Sequence, residues 1–320
     1  MALLSRDGTA ASADDRRASL LASEAEAQSL ASRLPDLLIA AMRISTTIAH
    51  GIHGRRRSGP GETFWQFRPY ESTDSTGLID WRRSASSDHI YVREREWEAA
   101  HTFWLWTNLS PSMTFRSHLS EQSKEERAIV LLFAAAELLV RSGERVALLG
   151  LTRPTASRHA AARLAEAVAA NYDSSVFMEG LPPAARLSRH SGVVLISDFL
   201  EPADDVTARM SALAGAGVNG HVIQVLDPAE ESLPYEGRAE FLGPVAGERW
   251  VADRVEALRE QYFEKLAAHK ARIADHARHL GWSHLVHHTD RSAAEPLLSL
   301  IARLQDGTMG SQDYRAGGLA

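Results

Sequence analysis

The amino-acid sequence predicts an α/β protein built on an open, mainly parallel sheet with helices on both faces. Three observations carry this expectation. Between His101 and Val225 short apolar runs alternate with helix-forming stretches, an order that needs crossover connections and therefore parallel pairing. Two of those runs, Phe103 to Trp106 and Val193 to Ile196, are continuously apolar, as suits strands covered on both faces. The chain is also large enough for a real core: its 320 residues are 44% hydrophobic and 24% charged, against the roughly 150 residues of an ordinary domain.

Taken in order, residues 1–21 are small, polar and charged, too poor in large apolar groups to offset the entropy of ordering, and read as a disordered tail. From Ala22 to about His50, Leu30, Leu34, Leu37, Leu38, Ile44 and Ile48 recur at three-to-four spacing. That spacing gives one or two amphipathic helices, with Pro35 as an interruption or a fresh start. Gly51 to Tyr70 is glycine-punctuated loop around Arg55 to Arg57, followed by the aromatics Phe64, Trp65, Phe67 and Tyr70. Ile90, Val92, Arg93 and Arg95 suggest a strand. The segment 22–100 thus forms an N-terminal helical and aromatic unit, and 101–228 the core.

Within that core, His101 to Thr107 reads as a strand. Ser123 and Glu126 have the spacing of a capping box, which opens a helix through Val140 that Gly143 closes. Val146 to Leu151 is a strand, Arg158 to Ala170 a helix, Val193 to Ser197 a strand, Asp204 to Ala214 a helix and His221 to Leu226 a strand. Gly215, Gly217 and Gly220 satisfy a GxGxxG expression but follow a helix and precede a strand, the reverse of a dinucleotide fold, so they read as a turn. After Asp227 comes a turn-rich stretch, then a helix from about Asp253 to Leu280 and a short strand, Ser283 to His288. Residues 229–305 are therefore expected to be a C-terminal helical extension packed on the core, and 306–320 a flexible tail.

Composition excludes several classes of chemistry. There is no cysteine, hence no disulfide, thiolate nucleophile or cysteine-ligated metal. A net charge of −6 gives no global basic field for a phosphate backbone, and nucleic acid is not an expected partner. No stretch reaches the ~20 apolar residues that span a bilayer, and Met1 to Arg17 lacks the apolar segment of a secretory signal. The expected location is the cytoplasm.

The most informative segment is Thr107 to Met113, which leaves a strand and carries Asn108, Ser110 and Ser112. Hydroxyls at alternate positions there face the carboxyl edge of the sheet, where Asp198 also stands at the end of its strand. Oxygen ligands at such an edge suit a divalent cation, and such an edge is where α/β sheets bind ligands. The competing reading is a metal-free loop whose serines satisfy turns and caps.

Asn108 to Met113 is similar to the Asp-x-Ser-x-Ser loop of von Willebrand factor type A domains. Upstream, Gly51 to Gly54, Gly61 to Phe64, Arg68 to Tyr70, Asp74 and Leu78 to Ala85 resemble the opening signature of the bacterial family known as domain of unknown function 58. Leu226 to Glu231, with Leu233 and Pro234, resembles that family's post-core segment. The resemblance covers roughly Ala40 to Leu300. It implies a Rossmann-like von Willebrand factor type A core with family-specific extensions, and it assigns Ser110, Ser112 and Asp198 to a metal-ion-dependent adhesion site with Thr155 as the threonine. Asn108 replaces the first aspartate and Thr73 the glycine before Asp74. One lost charge at ligand distance is worth about 4 kcal/mol per unit of cation charge at an effective dielectric of 20, so any Mg²⁺ site is weakened.

The resemblance further implies a non-enzymatic interaction module, a partner or adaptor of a MoxR-type AAA+ ATPase in maturing or assembling client proteins. The site it implies is the sheet edge, where a cation held by Ser110, Ser112 and Asp198 keeps one coordination position open for a carboxylate of the partner. With that site weakened by Asn108, the surface expected to meet the partner instead is the Arg68 to Ala85 segment, with Arg68, Asp80, Trp81 and Arg82. Two other classes remain as alternatives at this point. A metal-dependent hydrolase would use the late histidines His269, His276, His279, His284, His287 and His288 with Asp290, although no HExxH accompanies them. A nucleic-acid binder would use Arg55 to Arg57.

Overall fold

The computed structural model describes residues 32–49, 64–71, 74–87, 89–95, 100–189, 191–215, 217–243 and 249–303. The two tails, the Arg55 to Arg57 run and Thr73 lie outside the described residues. A five-stranded sheet forms the centre: β3 (Thr102–Thr107), β4 (Arg145–Leu148), β5 (Gly192–Ser197), β6 (Asn219–Leu226) and β9 (Ser283–His288), in spatial order β4-β3-β5-β6-β9. All four pairings are parallel. The protein is a Rossmann-like α/β structure with a mainly parallel sheet covered by helices, as the alternation of apolar runs predicts.

Strand periodicity divides the core in two. On one face Leu105, Val194, Ile196, Ile223 and Val225 pack with the long central helix α3 (Lys124–Arg141), α4 (Ala160–Ala170), the N-terminal helix α1 (residues 32–49) and the last helix α9 (residues 294–303). On the other, Trp106, Val193, Leu195 and Val222 pack with α6 (Ala203–Leu213) and α8 (Arg259–His279). Neighbours such as Leu105 and Trp106 thus enter opposite layers, as alternating Cβ directions require. The Trp106 indole N–H donates to the Val176 carbonyl at 2.7 Å, so this tryptophan is core and not a stacking platform.

Helix α3 starts where its sequence directs. Ser123 accepts from the Glu126 amide, and Glu126 accepts in return from the Ser123 amide, at 3.2 and 3.0 Å. Arg33 of α1 reaches Glu126 at 2.7 Å and Tyr172 donates to the buried Glu125 at 2.7 Å, tying the first turn to its surroundings. The carboxyl edge of the sheet is therefore fixed against the amino end of α3.

Three expectations are corrected. The stretch read as loop through Tyr70 contains β1 (Phe64–Pro69), paired antiparallel with β2 (Tyr91–Arg95). The turn-rich stretch after Asp227 contains a short helix, α7 (Pro228–Ser232), and a hairpin, β7 (Ala239–Leu242) with β8 (Arg249–Ala252). And β9, expected in an extension packed on the core, is the fifth strand of the core sheet, pairing His221 to Leu226 of β6 with Ser283 to His288. Trp282 makes that docking possible by lying over Gly220, where an added Cβ would meet its ring at 1.9 Å. The GxGxxG stretch accordingly turns α6 into β6.

Candidate functional site

Three strand ends converge at the carboxyl rim. Asn108 follows β3 and extends its ladder, its amide donating to the Ile196 carbonyl at 2.9 Å. Its side-chain oxygen accepts from the Ser110 amide at 2.8 Å, an Asx turn that shapes the loop. Its side-chain nitrogen faces the end of β5, donating to Ser197 Oγ at 3.1 Å and, at 3.4 Å, to Asp198 Oδ1. Ser110 and Ser112 share a hydroxyl hydrogen bond of 3.2 Å. From β6, Gln224 donates to the Asp198 carbonyl at 2.8 Å, while Asp227 accepts from the Ser117 amide at 2.9 Å and caps α7. The asparagine, both serines and Asp198 are thus brought together as the sequence predicts.

Thr155 is not. It bridges Val146, which pairs with Phe103 at the start of β3. Asn108 lies five residue steps beyond Phe103, about 16 Å at roughly 3.3 Å per step. Thr155 Oγ1 accepts from the Ser157 amide in its own turn. Sequence order alone cannot say at which end of a parallel ladder a returning loop lands, and here it lands at the amino end.

A residue absent from the expected site occupies its centre. Lys124, the first residue of α3, is 1% exposed, and its ammonium donates to Asp198 Oδ2 at 2.8 Å and Glu230 Oε1 at 2.6 Å. Burial alone would lower its pKa, but the two carboxylates outweigh burial and hold it above the usual lysine value. Glu230 is raised by burial, an effect that Lys124 only partly offsets, and its other oxygen accepts from the Asp227 amide at 2.8 Å. The Phe115 ring lies 5.9 Å from the ammonium. Nearby Glu201 is pushed up to about 7 by burial and then by the charge of Asp198, and its Oε2 is buried with no partner among the described residues.

This donor set does not fit a divalent cation. Asp198 is engaged by an ammonium, the carbonyl oxygen of Asn108 is engaged by a backbone amide, and the amide nitrogen of Asn108 presents hydrogens where a cation needs lone pairs. Among the described residues, no three histidines or carboxylates are grouped so as to hold a metal.

The late histidines are dispersed. His276 pairs with Ser211, His279 with a carbonyl of its own helix and His269 with the Phe199 carbonyl. On β9, His284 meets Gln224 and His288 meets Glu231, while the buried His287 faces the other layer near Arg127. Burial pushes His287 down to about 3. Alternation along the strand separates neighbours that the sequence clusters.

The second expected surface lies on the small unit of β1, β2 and the short helix α2 (Trp81–Ser84). Arg68 forms a forked pair with Asp74, both distances 2.8 Å, and holds its carboxyl below the usual range. Asp80 caps α2 by accepting from the Arg83 amide at 2.9 Å. Arg83 lies over the Phe67 and Tyr91 rings. Arg68 and Asp80, expected to touch a partner, are thus spent inside the unit, whereas Trp81 is 66% exposed and Arg82 is exposed beside it.

A family model described as "Protein of unknown function DUF58" matches residues 66–272. The chain belongs to this family. The DUF58 match spans α2, the rim loop, Lys124, Asp198 and Glu230 and ends before β9. The relatives "Uncharacterized protein Mb1516" of Mycobacterium bovis and "Uncharacterized protein Rv1480" of Mycobacterium tuberculosis are each 26% identical over 312 residues, covering 91% of this chain and 95% of their own length. A solved structure, the conserved hypothetical protein BatB from Bacteroides thetaiotaomicron, is 15% identical and covers 65% of this chain and 100% of its own, with a TM-score of 0.35. No helix among the described residues is long and apolar enough to cross a membrane.

Proposed function

We propose that this DUF58 protein is a non-enzymatic interaction module of the cytoplasm, a partner of a MoxR-type AAA+ ATPase that presents or matures client proteins. The surface that does this work is α2, with Trp81 and Arg82 as the contact residues and Arg68, Asp74 and Asp80 as the frame that positions them. One observation carries the reading: Trp81 stands 66% exposed on a helix that buries none of its own residues. Tryptophan and arginine are the side chains most enriched where a few residues dominate binding energy, and an exposed indole held by a rigid frame loses little freedom on docking. The ATPase and the client come from the family resemblance, and the rim site is assigned no part in holding them.

The test is affinity capture from the source cell, with the bound proteins identified by mass spectrometry. Wild type retains a MoxR-type ATPase, and the Trp81→Ala/Arg82→Glu variant loses most of it at an unchanged melting temperature. Equal retention by both forms, or capture of no ATPase by either, overturns the reading.

A further inference from the structure

We infer that the Lys124 ammonium is the resident cation of the sheet-edge site, tethered to the chain in the place that the resemblance gives to a divalent ion. The argument rests on charge and position. The ammonium sits between a carboxylate at the end of β5 and one on α7, with N–O distances of 2.8 and 2.6 Å, and the lysine side chain is only 1% exposed. A lysine has three donors and no acceptor; two of the three are used on Asp198 and Glu230. Asn108 completes the exchange. Where a divalent ion calls for two or three negative ligands, a single positive charge would be over-neutralised by a third carboxylate, and the site carries a neutral amide that donates toward Asp198.

The consequence is a rim with no dissociable ion. An open coordination position that a partner's carboxylate could fill does not exist, because the cation's attachment is covalent and its acceptors are internal. The ammonium joins α3, β5 and α7 whatever the surrounding metal concentration, so the core holds one rim arrangement instead of switching between ion-bound and ion-free forms. This inference does not depend on the ATPase reading, since it concerns the buried rim and not α2.

The chain suits a direct test on the unaltered protein, because it has only three lysines, Lys124, Lys265 and Lys270. Folded full-length protein is treated with an amine-reactive label, with and without millimolar Mg²⁺ or Mn²⁺, and modified sites are read by peptide mass. Exposed Lys265 labels readily, while Lys124 labels more than about tenfold slower because reagent must wait for local opening, and neither ion changes its rate. In parallel, melting curves in chelator and in either ion superimpose. Faster labelling of Lys124 when the ion is added, labelling as rapid as that of Lys265, or a saturable rise in melting temperature with either ion would each overturn the tethered-cation assignment.

Discussion

Lys124 is 1% exposed and pairs with two carboxylates, whereas Trp81 is 66% exposed on a helix with no buried residue. Both open a helix behind a capping residue, Ser123 in one case and Asp80 in the other. What differs is the neighbourhood. The amino end of α3 abuts the carboxyl edge of a five-stranded sheet, so a charged residue there meets strand-end carboxylates. Among the described residues, α2 packs with the two-stranded ribbon of β1 and β2, and its first residues project. The same local start of a helix therefore makes an internal ion knot in one place and a presented side chain in the other.

That contrast orders the effects of substitution. Lys124→Met leaves Asp198 buried without its counter-charge, and breaking a buried pair in this way costs about 3–5 kcal/mol; urea unfolding should show a midpoint shifted accordingly, and a near-neutral result would break the contrast at its strongest point. Next comes Glu201. Its folded pKa of about 7 lies above the ordinary value of 4.5, so the fold prefers the protonated acid, and stability is lost as pH rises from 4.5 through 7. Glu201→Gln should therefore match wild type near pH 4.5 and exceed it by about 3 kcal/mol at pH 8, measured as the difference between two unfolding curves at each pH. A difference independent of pH would detach Glu201 from the rim charges.

Smaller effects belong to the exposed unit. Asp80→Ala removes an N-cap and should cost about 1 kcal/mol, read as faster amide exchange confined to the α2 segment while the sheet is undisturbed. Trp81→Ala should change global stability by no more than about 0.5 kcal/mol, as for a surface substitution that touches no buried feature, yet abolish capture of the partner. A large loss of stability on Trp81→Ala would mean that the indole is part of the fold, and the two regions would no longer differ in kind.

Much of the molecule is legible along the chain. The Ser123 and Glu126 pair locates the start of α3 because a capping box needs only residues three apart. The apolar runs locate β3, β5 and β6, and the loop after each strand delivers Asn108 and Asp198 to one edge because parallel strands all end on the same side. Thr155 fails for a complementary reason: the register of a returning loop is fixed by its pairing with Val146, which nothing near Thr155 in sequence specifies. Strand β1 with its pairing to β2, and the place of β9 in the core sheet, escape notice because their partners lie roughly 20 to 60 residues away. Lys124 escapes it because a charge in the first turn of a helix ordinarily faces water.

The sequence by itself determined the α/β class, the parallel pairing of the central strands, the start of α3 and the meeting of the asparagine–serine loop with Asp198, since each follows from local periodicity, capping or the polarity of crossovers. Only the tertiary structure decided which positive charge stands against Asp198, that β9 completes the sheet, and that Trp81 rather than Arg68 or Asp80 faces outward. Those outcomes depend on which surfaces remain after the layers pack, and burial, unlike helix and strand periodicity, is a property of the assembled whole.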